Sequence, residues 1–146
     1  MIKQALEENV NYKDFNQIID PCAGSGEFKT ILPVTHQYDI EPDSDNIIKK
    51  DFFKLQLNKN VERLIICSPP FGNDLEKGKR FLLRASQFST TIGSIVSKNV
   101  EHESLIPNFK LIFKEQFKGK CFIKDGKDID LNHYFCIWTK INSYDK

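Results

Sequence analysis

Four short apolar runs, each followed closely by a proline or an aspartate, constrain the fold of this chain more than any other feature. Gln17-Ile18-Ile19-Asp20 stops at Pro21, and Val34 to Ile40 stops at Pro42. Ile47-Ile48 comes shortly before Asp51, and Glu62-Arg63-Leu64-Ile65-Ile66-Cys67 is halted by Pro69-Pro70. The runs are β-branched and do not alternate apolar with polar residues, as expected of strands buried on both faces of a parallel sheet. Thr91 to Val96 reads as a fifth strand.

Helical spacing occurs twice. Ile2 to Asn9 places Ile2, Ala5 and Leu6 on one face. A second helix is expected from Asn73 or Asp74 to about Phe88, with Leu75, Phe81, Leu82, Ala85 and Phe88 near a 3.6-residue period. Beyond the turn Ile106-Pro107-Asn108, Phe109 to Phe117 and Asn132 to Ile141 alternate as strands, and Asp125-Gly126 between them is a hairpin signal. The fold class is therefore α/β, a mostly parallel sheet with an antiparallel C-terminal strand pair. Its helical cover is reduced. Only Glu27 to Leu32 can be helical between the first two strands, whereas a parallel crossover usually takes a dozen residues or more.

At 146 residues the chain is expected to be one domain, 1–146. Its net charge of +1 excludes a uniformly cationic surface, so any nucleic-acid contact must come from a local patch. Cys22, Cys67, Cys121 and Cys136 form no C-x-x-C pair, and His36, His102 and His133 are isolated. That argues for reduced thiols, no metal site and a cytoplasmic location, with no signal peptide or membrane span.

The chemistry gathers at the strand ends. Asp20-Pro21-Cys22-Ala23-Gly24-Ser25-Gly26 is a small-residue loop after a strand, which lets backbone N–H groups and a helix start approach a polar ligand. It is no P-loop, since no Gly-Lys-Ser/Thr follows. Asp39, nineteen residues after Asp20, is placed to accept ribose hydroxyls. Asp51 can accept from an adenine amine, with an aromatic ring beside it to pack on the purine. Ser68-Pro69-Pro70-Phe71 is a stiff loop with free carbonyls, a hydroxyl and an aromatic. Lys77, Lys79, Arg80 and Arg84 then form a basic cluster suited to phosphates.

In this order, Asp20-Pro21-x-x-Gly24-x-Gly26, Asp39, Asp51-Phe52 and Ser68-Pro69-Pro70-Phe71 resemble the S-adenosylmethionine (SAM)-dependent amino-methyltransferases. These enzymes methylate an exocyclic amine of adenine or cytosine, or a glutamine amide. The resemblance spans about Gln17 to Phe88 and implies a Rossmann-like methyltransferase sandwich. It also implies a cofactor site made of Asp20, Cys22, Ala23, Gly24, Gly26, Asp39, Ile40, Asp51 and Phe52. Asp20, Gly24 and Gly26 would cradle the methionine part, Asp39 the ribose, and Asp51 and Phe52 the adenine. Ser68, Pro69, Pro70 and Phe71 would form the catalytic loop. Ser68 stands where the family most often has Asn or Asp, although serine occurs notably among cytosine-N4 enzymes. The implied substrate is a nucleic-acid base in DNA or RNA, adenine N6 first and cytosine N4 second. The alternatives are a glutamine-amide protein methyltransferase and a non-catalytic SAM-binding or partner subunit. Thin helical cover and twelve phenylalanines further suggest exposed apolar surface, hence a homodimer or a partner that supplies target recognition.

Overall fold

The structure is a computed structural model that describes residues 1–24, 26–59, 61–68, 75–97, 105–117, 121–123, 127–129 and 133–141. Strands β1 (Gln17–Asp20), β2 (His36–Asp39), β3 (Ile48–Lys49), β4 (Arg63–Cys67), β5 (Thr91–Ser97) and β6 (Phe109–Gln116) are joined in one sheet by a late strand, His133–Lys140. Between β6 and that strand lie β7 (Cys121–Ile123) and β8 (Lys127–Ile129), which pair with each other antiparallel, so His133–Lys140 is β9. The sheet order is β3-β2-β1-β4-β5-β9-β6. Strands β1 to β5 run parallel, and β9 lies antiparallel between β5 and β6. The antiparallel C-terminal pair is thus present, with the last strand inserted inside the sheet. Asp125-Gly126 lies outside the described residues, but Ile123 opposite Lys127 sets the flanking strands in hairpin register.

The absence of alternation in the early strands follows from burial on both faces. Ile19, Ile65, Ile92 and Trp138 point to one side, where Phe81, Leu82 and Ala85 of helix α2 (Leu75–Ser86) cover them. Ile18, Leu64, Ile66 and Phe135 point to the other, against Ile2, Ala5 and Leu6 of helix α1 (Ile2–Asn9). An isolated helix of eight residues would not hold in water. Docking holds it, since full burial of a side chain such as Leu6 contributes roughly 1.5–3 kcal/mol. Helix α2 ends at Ser86 rather than Phe88, because Gln87 and Phe88 donate to Arg84 and Ala85 in a tightened last turn. Among the described residues no helix is long and apolar enough to cross a membrane.

The connections are as short as their sequence requires. A single 3-10 turn, Glu27–Thr30, stands between β1 and β2, and another, Phe52–Lys54, between β3 and β4. Among the described residues the exposed large apolar side chains are Met1, Ile40, Ile48, Phe53 and Leu83. Phe28, Leu32 and Val34 of the β1–β2 connection fold onto the sheet where a helix would otherwise lie. Phe28, Phe52, Phe81, Phe88, Phe109, Phe117 and Phe135 are all buried, and Phe53 alone is an exposed phenylalanine there.

One packing feature has no counterpart in the apolar pattern. Arg63, at the start of β4, is 1% exposed. Its Nε donates to Gln17 Oε1 at 2.7 Å, and its Nη1 donates to Asn58 O at 2.9 Å and Phe88 O at 2.8 Å. Burial pulls its pKa below the ordinary guanidinium value, with Tyr38 acting in the opposite direction. Arg63 thereby ties β1, the segment before β4 and the residues just after α2 into one unit.

Candidate functional site

The parallel strands point their carboxyl ends to one edge of the sheet, and the residues singled out by sequence collect there. Asp20 closes β1 and Asp39 closes β2, 1% and 8% exposed. Asp51 follows β3, and Ser68 follows β4.

The loop after β1 is shaped by backbone hydrogen bonds and glycine. Asp20 Oδ1 accepts from Cys22 N at 3.2 Å, Ala23 N donates to Tyr38 O at 2.8 Å, and Gly26 N returns to Ala23 O at 2.8 Å. Gly24 and Gly26 adopt left-handed φ values of 59° and 88°, a region that costs other residues about 1–2 kcal/mol. Gly26 is constrained twice, because an added Cβ would lie 2.8 Å from Gln37 Oε1. Gly26→Ala is accordingly expected to lower the unfolding free energy by about 1–2 kcal/mol, read from urea denaturation. An unchanged midpoint would contradict the packing described.

The sequence suggested a helix N-terminus facing the ligand. The structure places only the four-residue 3-10 turn after Gly26, too short to carry an appreciable macrodipole. The amides of Cys22, Ala23, Gly24 and Gly26 are all engaged within the fold, so what this edge presents is carboxylates. Asp39 is the loop's fastener, with Oδ2 accepting from Gly24 N at 2.7 Å and Oδ1 from Glu41 N at 2.9 Å. These bonds fix the orientation of the carboxylate at the end of β2. Gly24 O in turn accepts from Asp43 N at 3.2 Å. Beside it, Pro42, Asp43, Ser44, Asp45 and Ile47 line an open depression of about 520 Å³.

Next to Asp39 stands Ile40, 60% exposed at the tip of β2. Asp51 caps the turn that follows it, Oδ1 accepting from Phe53 N at 2.9 Å. That turn decides which aromatic faces outward. Phe52 is 3% exposed and its ring lies 4.7 Å from that of Phe81 in the core, so it offers no free ring face to a purine. Phe53 is 43% exposed and rests edge-on against Phe81 at 5.9 Å. The aromatic available beside Asp51 is therefore Phe53. The doublet alone carries no signal for this; the capped turn does.

Ser68 is half-buried, and its carbonyl accepts from Cys22 Sγ at 3.2 Å, which joins the β1 and β4 loops. Pro69, Pro70 and Phe71, and the side chain of Lys77, lie outside the described residues. The basic cluster divides. Arg80 is exposed, and Lys79 pairs with Glu76 at 3.5 Å. Arg84 is a structural residue: Nη2 donates to Leu55 O at 2.8 Å and its guanidinium lies 4.8 Å from the centre of the Phe88 ring. Those contacts hold its guanidinium against Leu55 and Phe88. No group of three or more metal-ligating side chains occurs among the described residues.

This sheet order, with one reversed strand near the far edge and a glycine loop after the interior strand β1, defines the Rossmann-like methyltransferase fold. A provisionally assigned RNA methyltransferase from Pyrococcus horikoshii superposes with a TM-score of 0.66 at 17% identity, over 97% of this chain and 83% of that one. The 23S rRNA methyltransferase ErmE gives 0.60 at 14%, over 95% of this chain and 66% of its own. A SAM-dependent methyltransferase from Anabaena variabilis gives 0.57 at 13%, over 94% and 81%. No family model matches the sequence, and no curated protein matches it. Likeness at these identities establishes the fold.

Proposed function

We propose that the chain is a SAM-dependent methyltransferase that acts on an exocyclic amine of a nucleic-acid base, adenine N6 ahead of cytosine N4 and RNA ahead of DNA. The observation that carries this reading is the row of carboxylates at the ends of three adjacent parallel strands, Asp20, Asp39 and Asp51, around a glycine loop fastened by Asp39. The donor chemistry fits the cofactor. Its ammonium, ribose hydroxyls and adenine amine are all hydrogen-bond donors, and each would meet an acceptor along this edge. Asp20 with the backbone of the Cys22–Gly26 loop would hold the methionine part and Asp39 the ribose. Ile40 and Phe53 would flank the adenine, whose amine Asp51 would accept. The preference for RNA draws on the names of the Pyrococcus protein and ErmE.

When bound, the cofactor supplies an electrophilic sulfonium methyl. The chain's task is then to prepare a poor nucleophile, an amine whose lone pair is delocalised into the base. Ser68 Oγ and the Pro69 carbonyl would accept hydrogen bonds from the amine N–H groups and so stabilise the positive charge that develops on nitrogen. A paired base would first have to leave its stack. Phe71 would stack on the extruded base, and Arg80 would contact phosphate. Phe71→Ala is expected to cut methyl transfer about tenfold or more, from roughly 1–3 kcal/mol of lost stacking, with cofactor affinity unchanged. Equal activity in the variant would remove Phe71 from the site.

The test of the reading is transfer of labelled methyl from SAM into total RNA, DNA and protein, supplied separately. Label in RNA, recovered as N6-methyladenine, is the expected result. Label in protein alone would favour a glutamine-amide substrate. Cofactor binding with no transfer to any of the three would leave a non-catalytic binding subunit.

A further inference from the structure

Two consecutive prolines follow Ser68, so the two nearest amides beyond it carry no N–H. The Ser68 carbonyl takes its donor from across the site, from Cys22 Sγ at 3.2 Å. The sheet explains why these two groups meet. Ile19 of β1 pairs with Ile65 of β4, and Cys22 and Ser68 each stand three residues beyond that pair, since 22 − 19 = 68 − 65. The two chains leave adjacent strands in register.

The thiol is itself held in place. Cys22 is 7% exposed, its own N–H is fixed by Asp20 Oδ1, and the next N–H, of Ala23, is fixed by Tyr38 O. A donor anchored in this way transmits the position of the glycine loop to the first residue of the Ser-Pro-Pro-Phe loop. Cysteine is a weak donor, but its target is a single carbonyl with no competing amide from Pro69 or Pro70.

We propose that Cys22 is a positioning residue whose S–H to Ser68 C=O bond sets the spacing between the methyl donor and the acceptors that hold the target amine. This rests on the methyl-transfer reading above. In-line transfer is sensitive to small displacements of its partners, so the bond affects turnover more than cofactor binding. Alanine at this position would remove the donor, and serine would replace it with a shorter but stronger one.

The experiment compares wild type, Cys22→Ala and Cys22→Ser for three quantities: kcat of methyl transfer, affinity for S-adenosylhomocysteine, and the carbonyl-carbon resonance of Ser68. Cys22→Ala is expected to lose about five- to tenfold in kcat, as loss of one hydrogen bond allows, with cofactor affinity within about twofold. Its Ser68 resonance should move, and Cys22→Ser should recover most of the turnover. A general loss of structure would lower cofactor affinity together with kcat and would not be rescued by serine, and that result would overturn the proposal. So would an active wild type with an equally active Cys22→Ala, or an unmoved Ser68 resonance. A wild type that binds cofactor yet transfers no methyl would overturn the positioning role by removing the reaction itself. That failure is recognised by the absence of turnover in all three proteins.

Discussion

Asp39→Ala is expected to weaken binding of S-adenosylhomocysteine by about tenfold or more and to destabilise the fold as well. Two effects are joined in this residue. Its carboxylate accepts Gly24 N at 2.7 Å and Glu41 N at 2.9 Å, so it closes the glycine loop onto the end of β2. Hydrogen bonds to a charged group contribute about 1.5–3 kcal/mol each, and removing the acceptor leaves the Gly24 N–H buried without its partner. The loss in unfolding free energy should be about 2 kcal/mol, because Glu41 N lies near the surface and water can replace its acceptor. On the ligand side, the same carboxylate is the one assigned to the ribose. Calorimetric titration and urea denaturation separate the two contributions. Asp39→Asn should fall between wild type and alanine in both, since it keeps one acceptor oxygen while its amide faces an N–H. Unaltered cofactor affinity in Asp39→Ala would remove this residue from the site.

Arg63→Met should produce the largest loss of stability of any single substitution considered, about 3 kcal/mol. Three acceptors would lose a cationic donor at once: Gln17 Oε1, Asn58 O and Phe88 O. The gross loss is larger, but methionine fills much of the same volume and relieves the cost of a desolvated charge. For a chain of this length the shift in Tm would be about 10 °C. A variant as stable as wild type would mean that the arginine is replaceable packing. A second reading comes from the residues after α2, whose Phe88 carbonyl loses its anchor, so proteolytic cleavage near Phe88 should accelerate.

The parts of this molecule that were legible in its sequence are those where one residue type answers one physical demand. The runs at Ile18-Ile19 and Leu64-Ile65-Ile66 could be placed in a parallel sheet because burial on both faces suppresses alternation. Asp20, Asp39 and Asp51 could be placed at strand ends because each comes at or shortly after the end of an apolar run. What was not legible depends on partners distant in sequence. The burial of Phe28 and Leu32 beneath a single 3-10 turn requires knowing that α1 covers the same face. The choice between Phe52 and Phe53 follows from the Asp51 cap and the position of Phe81, 29 residues beyond Phe52, since 81 − 52 = 29. Arg84 belonged by pattern to a basic helix face, yet the Leu55 carbonyl and the Phe88 ring hold it. The insertion of β9 between β5 and β6 is likewise a long-range choice, which alternation in the two strands does not determine.

The central claim is that the carboxyl edge of β1, β2 and β3 binds the cofactor. It is tested most directly by following backbone amide resonances while S-adenosylhomocysteine is added to the wild-type chain. Saturable shifts at Gly24, Glu41 and Phe53, with α1 on the covered face of the sheet unaffected, are the predicted result. No saturable shift at those three amides, or shifts confined to another surface, would contradict it.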